Sequence, residues 1–471
     1  MTRKLLLLTA SLTLAGCSMA PKYVRPELPV PAATPEGPAY ASTGQGDAAT
    51  LAGTAWRDFF TEPRLRDVIA LSLDNNRDLR LALANVEQAR AQYRVQRVDI
   101  FPTLGASGSA TAQKSPLGAL QGGAGAGAGR FDIYSVSAGI SAWEIDLFGR
   151  VRNLSKAAQE EFFAVDENRK ATQIALVAEV ATAWLTMAAD QERLGVARKT
   201  AAAFRQTLDL TEARFKAGIA SELDVRQART SHDRALSDIA ALTTQVAQDQ
   251  NALNLLAGTT VPGALLPEAL ASGGVTLDRL PADLSSDVLL GRPDVIAAEH
   301  RLIAANANIG AARASFFPRI SLTAALGTLS LGLSNLFTGA SENWSVAGAA
   351  DVPIFDFGRN AGNLDSAKAQ RDAMVAQYEK TLQTAFREVA DALARRGTID
   401  DQLAAQRSLS GNAAASYRLS EARFRAGVDG FLSTLDSQRT LYAAEQELVG
   451  TRLIRETNAV ELYRTLGGGL Q

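Results

Sequence analysis

The heptapeptide EARFKAG begins at Glu212, and EARFRAG begins at Glu421, 209 positions later. Two more pairs keep nearly that spacing. IDLFGR (Ile145–Arg150) answers IFDFGR (Ile354–Arg359) at an offset of 209, and FPTLGAS (Phe101–Ser107) answers FPRISLT (Phe317–Thr323) at 216. Self-similarity at a fixed period marks a duplicated architecture, here two copies of about 210 residues. The offset changes by seven across the stretch between the pairs. The first copy therefore carries a longer segment there, and the glycine-rich GGAGAGAG is the expected insertion.

Two patterns fill each copy. Thr103–Ala112 (TLGASGSATA) alternates strictly, as does Tyr134–Ala142 (YSVSAGISA). Small polar residues (Ser107, Ser109, Thr111, Ser135, Ser137, Ser141) fall on one side and apolar ones on the other, the mark of a β-hairpin. ISLTAALG and WSVAGAADV form a weaker second hairpin, with Trp143 and Trp344 as interface-belt residues. The hairpins are expected over residues 103–142 and 319–352. Between and after them lie proline-free tracts rich in alanine, from Leu117 to Val261 and beyond Pro353. These predict very long helices over 150–216 and 358–425, with returning helices over 220–257 and 430–465. A helix of this length reaches about 100 Å at ~1.5 Å per residue. No single globular core spans that distance, so it needs a coiled coil or packed helical tube. Gly218 and Gly427 stand where each long helix must end, and glycine suits the left-handed residue of such an end.

A further helical pattern runs from Pro63 to before Phe101-Pro102. Repeat 1 then spans residues 55–262, a linker 263–287, repeat 2 residues 288–466 and a tail 467–471. Arg292-Pro293-Asp294 reads as a helix start, with the proline in the first turn.

The strands decide the assembly. Each is about 9–11 residues long, enough to cross a bilayer when tilted. A sheet in hydrocarbon must close on itself, and four strands fall below the roughly eight of the smallest membrane barrels. Several chains must share one barrel, with the small-polar side facing a wet lumen. The alternative is a soluble β-layer packed on helices.

The N-terminus reads MTRKLLLLTASLTLAGC: two basic residues, a short apolar run, then Cys17. That is a secretory signal over residues 1–16 rather than a permanent span. Leu14-Ala15-Gly16-Cys17 resembles a bacterial lipobox, which implies cleavage before Cys17 and a diacylglycerol and N-acyl lipid on it. Ser18 in place of aspartate favours the outer membrane. Six prolines between Pro21 and Pro38 make residues 17–54 an extended tether.

The chain has one cysteine and two histidines, His232 and His300. A zinc site takes about four such ligands, and no nucleophile–base pair is evident. The expectation is a protein that is not an enzyme, without cofactor or metal. A net charge of −2 gives no basic field for nucleic acid.

WRDFFTEPRLRDVIALSLDNNRDLRLA, LLGRPDVIAAEHRLIAANANIGAARASFFPRISLTAALG, the two FGR turns and FRAGVDGFLSTLDSQRTLYAAEQELV together resemble the TolC/OprM family of outer-membrane efflux factors, in its NodT-type lipoprotein branch. The resemblance implies a mixed, mainly α fold: a tandem duplication with a long α-helical periplasmic barrel and four transmembrane strands per chain. Three chains would close a twelve-stranded barrel as a homotrimer in the outer membrane. It implies a passive exit duct served by a periplasmic adaptor (membrane fusion protein) and an inner-membrane efflux pump, most often of the resistance-nodulation-division type. The turns at Gly218 and Gly427 become periplasmic tips that meet the adaptor. The constricting leucine, aspartate and arginine fall on Leu432, Asp436 and Arg439. The first copy has Leu223 but Gln227 in place of the aspartate. Relatives with a second aspartate near Ser433 differ from this chain, so an acidic double ring is not implied. The competing readings are a type I secretion exit duct and a lipid-tethered periplasmic coiled-coil scaffold without a pore.

Overall fold

A computed structural model describes residues 18–40, 53–115, 129–277 and 285–470. Cys17, the signal segment and most of the glycine-rich insertion lie outside the described residues. In chain order the elements are α1 (Trp56–Phe59), α2 (Pro63–Asn75), α3 (Arg77–Val98), β1 (Leu104–Ser115), β2 (Gly129–Ile145), α4 (Arg150–Lys216) and α5 (Glu222–Ala257). The second copy follows as α6 (Pro293–Ala314), β3 (Arg319–Ser330), β4 (Glu342–Asp351), α7 (Arg359–Arg425) and α8 (Phe431–Thr465). The duplication is visible in the elements themselves: α4 and α7 have 67 residues each and are offset by 209.

The chain divides into two compact units. One comprises the described parts of Met1–Pro26, Val86–Val165 and Ala298–Tyr378; the other those of Glu27–Asn85, Asp166–Ala297 and Glu379–Gln471. The first holds the sheet, four antiparallel strands in the order β1-β2-β3-β4. The central β2–β3 pair joins the two copies, with Ile140 opposite Ala324 and Ile145 opposite Ile320. At Gly139 and Gly327 a Cβ would collide with the carbonyls of Ala324 and Val136. Glycine is what lets these two strands come together there.

In the same unit, residues 18–25 are strapped to helix rather than hanging free. Pro21 O accepts from Asn306 Nδ2 at 2.7 Å, Met19 O from Arg313, and Arg25 forms a two-pronged bond to Glu299 at 2.8 Å. Ala20 crosses α6 at Gly310, where a Cβ would lie 2.6 Å from its backbone nitrogen. Hydrogen bonds along α6 thus hold this stretch, which has no helix or strand of its own. Glu160, almost fully buried, is shared by Lys156 and His300, whose Nδ1 lies 2.6 Å away. Both partners are structural.

The second unit has an aromatic centre. Phe59 and Tyr463 stack at 3.9 Å, and Phe60 meets Phe59 edge-on at 5.0 Å. Leu65, Val68 and Ile69 of α2 are fully buried. The helix from Pro63 is not continuous to Val98. Asn76 leaves the helical region at ψ 136°, and its side chain accepts from Leu79 N at 2.9 Å while donating to Leu256 O. It ends one helix and caps the next, because a side-chain acceptor satisfies an orphan N–H. Arg292, 5% exposed, donates to Thr465 O at 2.8 Å and pairs with Asp294 and Glu388. Burial works against its charge, but the carboxylates more than offset it and raise its pKa.

Candidate functional site

The ladder sorts the side chains of the sheet. Ser107 faces Ser137 and Ser109 faces Ser135 across β1–β2, with hydroxyl oxygens 3.2 and 2.8 Å apart. The same side continues through Gly327 and Ala325 of β3 to Asn343 and Ser345 of β4. The opposite side carries Leu104, Val136, Ile140, Leu322, Leu326, Trp344 and Val346. Trp344 is 74% exposed there. The first side is small and mostly polar, with Ile133 and Leu329 on it toward one end, and the second is mostly apolar and bare, with Thr328 and Glu342 at that same end. With this chain's four strands, β1 and β4 have no strand partner on their outer edges among the described residues.

Strand β2 does not stop at Ala142. The register shifts between Ile140 and Trp143, and Ala142 sits at φ 48° with its N–H donated to Thr323 Oγ1 at 3.1 Å. This is a β-bulge. Ser141 falls inside it and so leaves the regular polar row in which alternation places it. Trp143 lands on the apolar side opposite Leu322, and its indole N–H reaches Ile100 O at 3.1 Å.

In the second unit the two turns are built alike. After α4, Gly218 N donates to Phe215 O and Ile219 N to Arg214 O, both at 2.9 Å. After α7, Gly427 N donates to Phe424 O at 3.0 Å and Val428 N to Arg423 O at 2.9 Å. Both are Schellman closures. The glycines lie at φ 74° and 77°, where a side chain is strained. The turns then differ. Ser221 caps α5 by a reciprocal bond with Asp224, whereas Gly430 offers α8 no side-chain cap. The second turn is braced instead by Arg423, which grips Asp429 with bonds of 2.7 and 2.8 Å. That grip holds the Asp429 carboxyl below its ordinary value.

Phe424, Phe431 and Leu435 pack with Phe204, Leu208, Val225 and Ala228 between the paired hairpins. Arg214 lies over the Phe424 ring at 4.5 Å. Leu432 (62% exposed) and Asp436 point away from this core into solvent. Arg439 does not bind Asp436; it donates to Ser231 Oγ on α5. Tyr442, a turn further along α8, donates to Asp238 at 3.1 Å, and its phenol is pushed up to about 12 by burial and then by that carboxylate. Ser231, Asp238 and Asp429 are residues that sequence reasoning missed. Local spacing gives no sign of the first two, since they bind across the duplication.

The outer membrane efflux protein model matches residues 68–259 and 284–468, one stretch in each copy. The chain belongs to the outer membrane efflux protein family. It is 46% identical to the antibiotic efflux pump outer membrane protein ArpC of Pseudomonas putida and to that organism's toluene efflux pump outer membrane protein TtgC. In each case the match covers 100% of this chain and 96% of the relative. The structure of the open MtrE outer membrane channel of Neisseria gonorrhoeae superposes with a TM-score of 0.86 at 36% identity, covering 97% of this chain and 99% of that one.

This outer membrane efflux protein is therefore a transport protein of the outer membrane, an exit duct of the kind used in efflux. Its fold is that of the outer membrane channels it superposes on: mainly helical, tandemly duplicated, with one four-stranded sheet in the chain. The apolar side of the sheet is its lipid side, since hydrocarbon accepts Val, Leu and Trp but not bare serine rows.

Proposed function

We propose that three copies close a twelve-stranded barrel and conduct substrates passively outward from a periplasmic adaptor and an inner-membrane pump of the resistance-nodulation-division type. The observation that carries this reading is a two-sided sheet with both edges bare. In lipid each unpaired backbone group costs several kcal/mol, so β4 of one copy must pair with β1 of the next. The serine-rich side then encloses water, which suits a conduit with little selectivity of its own. The relatives named for antibiotic and toluene efflux favour small amphiphilic or apolar organic molecules as cargo.

In this reading Cys17 carries the diacylglycerol and N-acyl lipid, and the turns at Gly218 and Gly427 are the adaptor-contact tips. Leu432, Asp436 and Arg439 of three copies form the periplasmic constriction. Support for the constriction is that Leu432 and Asp436 are exposed while the neighbouring Phe431 and Leu435 are buried. Opening parts α8 from α5, which requires release of the Arg439–Ser231 and Tyr442–Asp238 bonds.

The test is complementation. The gene, expressed in a bacterium lacking its own exit duct but retaining adaptor and pump, should restore growth on antibiotics and under toluene. Trimers that reach the outer membrane of several such hosts, each with a different adaptor, and restore neither would overturn the proposal.

A further inference from the structure

The duplication lets one part of the chain act as a template for another. At the base of the sheet Phe148, which follows β2, stacks on Phe317, which precedes β3. Their ring centroids are 4.8 Å apart and the planes 24° apart. The ladder beside them pairs Trp143 with Leu322 and Ile145 with Ile320. This is a contact between the two copies of the repeat within one chain. Each member has a counterpart: Phe357 lies 209 residues after Phe148, and Phe101 lies 216 before Phe317. The backbone keeps the correspondence, with Gly149 at φ 79° and Gly358 at φ 85°.

The counterparts do not meet. Phe357 is 90% exposed and Phe101 65% exposed. Among the described residues Phe357 has only its near neighbour Phe355 as a ring partner, at 4.5 Å, and Phe101 has none. The reason is topological: Phe101 precedes β1 and Phe357 follows β4, the two outer strands of the sheet.

We propose that Phe357 of one copy stacks on Phe101 of the next copy, repeating between chains the Phe148–Phe317 contact within a chain. The inference rests on the reading of the sheet as one part of a shared barrel. It also sets the register of the strands that meet. Carried over by the same offsets, Ile145 opposite Ile320 becomes Ile354 opposite Leu104, and Trp143 opposite Leu322 becomes Val352 opposite Ala106. Asp351 then falls opposite Ser107 and Ala350 opposite Gly108. Alternation along the strands, which was not used to obtain this register, agrees with it. Ser107 and Asp351 both lie on the small-polar side, and a slip of one residue would set polar against apolar throughout. Phe357 sits at φ 55°, uncommon for a bulky side chain, whereas Phe148 is not among the positive-φ residues. Stacking on the neighbour returns Phe357 to the ordinary backbone of Phe148. Around a trimer the result is a collar of six aromatic pairs, alternately within and between chains.

The experiment places the photoreactive p-benzoylphenylalanine at position 357 of the full-length chain in outer membranes. Illumination should yield covalent dimers and trimers in which the probe is joined to the peptide carrying Phe101. The same probe at position 148 should leave the chain's mass unchanged and join the peptide carrying Phe317. Trimers in which the position-357 probe reaches only its own chain, or a peptide away from Phe101, would overturn the inference and leave the shared barrel standing. No oligomer at all would overturn both. As a second measurement, Phe101→Ala, Phe357→Ala and the double variant are compared by the temperature at which detergent-resistant trimers dissociate. The double variant should fall no further than the worse single one; additive falls would contradict a direct stack.

Discussion

Arg439 donates two hydrogen bonds to Ser231 Oγ, at 3.0 and 2.7 Å, and so ties the second returning helix to the first. The two residues are 208 apart in sequence and occupy matching early turns of α8 and α5. If this bond holds the constriction closed, Arg439→Ala and Ser231→Ala should each raise single-channel conductance or open probability in planar bilayers. A bond from a charged donor that is partly exposed is worth up to about 1.5 kcal/mol, or roughly a tenfold change in the open-to-closed ratio. The double variant should do no more than either single one.

Gly218 and Gly427 test the turns without touching the packing. A Cβ on either would meet nothing within 4 Å, so only the backbone opposes it. Gly427→Ala should cost about 1–2 kcal/mol and Gly427→Asn less, since Asn tolerates the left-handed region. Hydrogen exchange in residues 420–435 should quicken in that order, with exchange in the sheet unchanged.

The Arg423–Asp429 brace has a defined pH window. Because the Asp429 carboxyl is held below its usual value, first by its bond to Arg423, its contribution is fully present above the unfolded-state pKa of about 3.9. It is lost only as pH falls through the lower folded value. Protection of the second turn should therefore be the same at pH 5 and pH 7.5 and drop below about pH 4. Asp429→Asn should show the weaker protection at every pH.

Asp249 works in the opposite sense. It is 8% exposed; Gln245 satisfies one oxygen at 3.0 Å, while the other has no hydrogen-bond partner. Burial raises its pKa, and the nearby Asp190 adds to the rise. Above that raised value the charge subtracts from stability, and the penalty fades as pH falls through it toward the unfolded value. Asp249→Asn should stabilise the protein by about 1 kcal/mol at pH 7.5, with the gain in thermal denaturation shrinking on acidification.

How far such features can be read from sequence depends on their range. The long helices are legible because proline is absent and one glycine closes each by a local rule. The hairpins are legible because alternation has a period of two. The bulge at Ala142 is hidden, because an alanine in the left-handed region carries no glycine or asparagine signal. The break at Asn76 lies inside a polar run, Asp74-Asn75-Asn76, whose capping chemistry periodicity alone overlooks. Ser231 as the partner of Arg439 is a cross-repeat contact, and no local pattern encodes it.

In the shared barrel the serine row faces water while the Val136 row faces lipid. Ser109→Cys and Val136→Cys chains, reconstituted in planar bilayers, can be treated with a charged methanethiosulfonate during single-channel recording. The Ser109→Cys channel should lose conductance stepwise, in up to three steps, and the Val136→Cys channel should be unaffected. Equal labelling of both positions in a protein that forms no channel would contradict this placement.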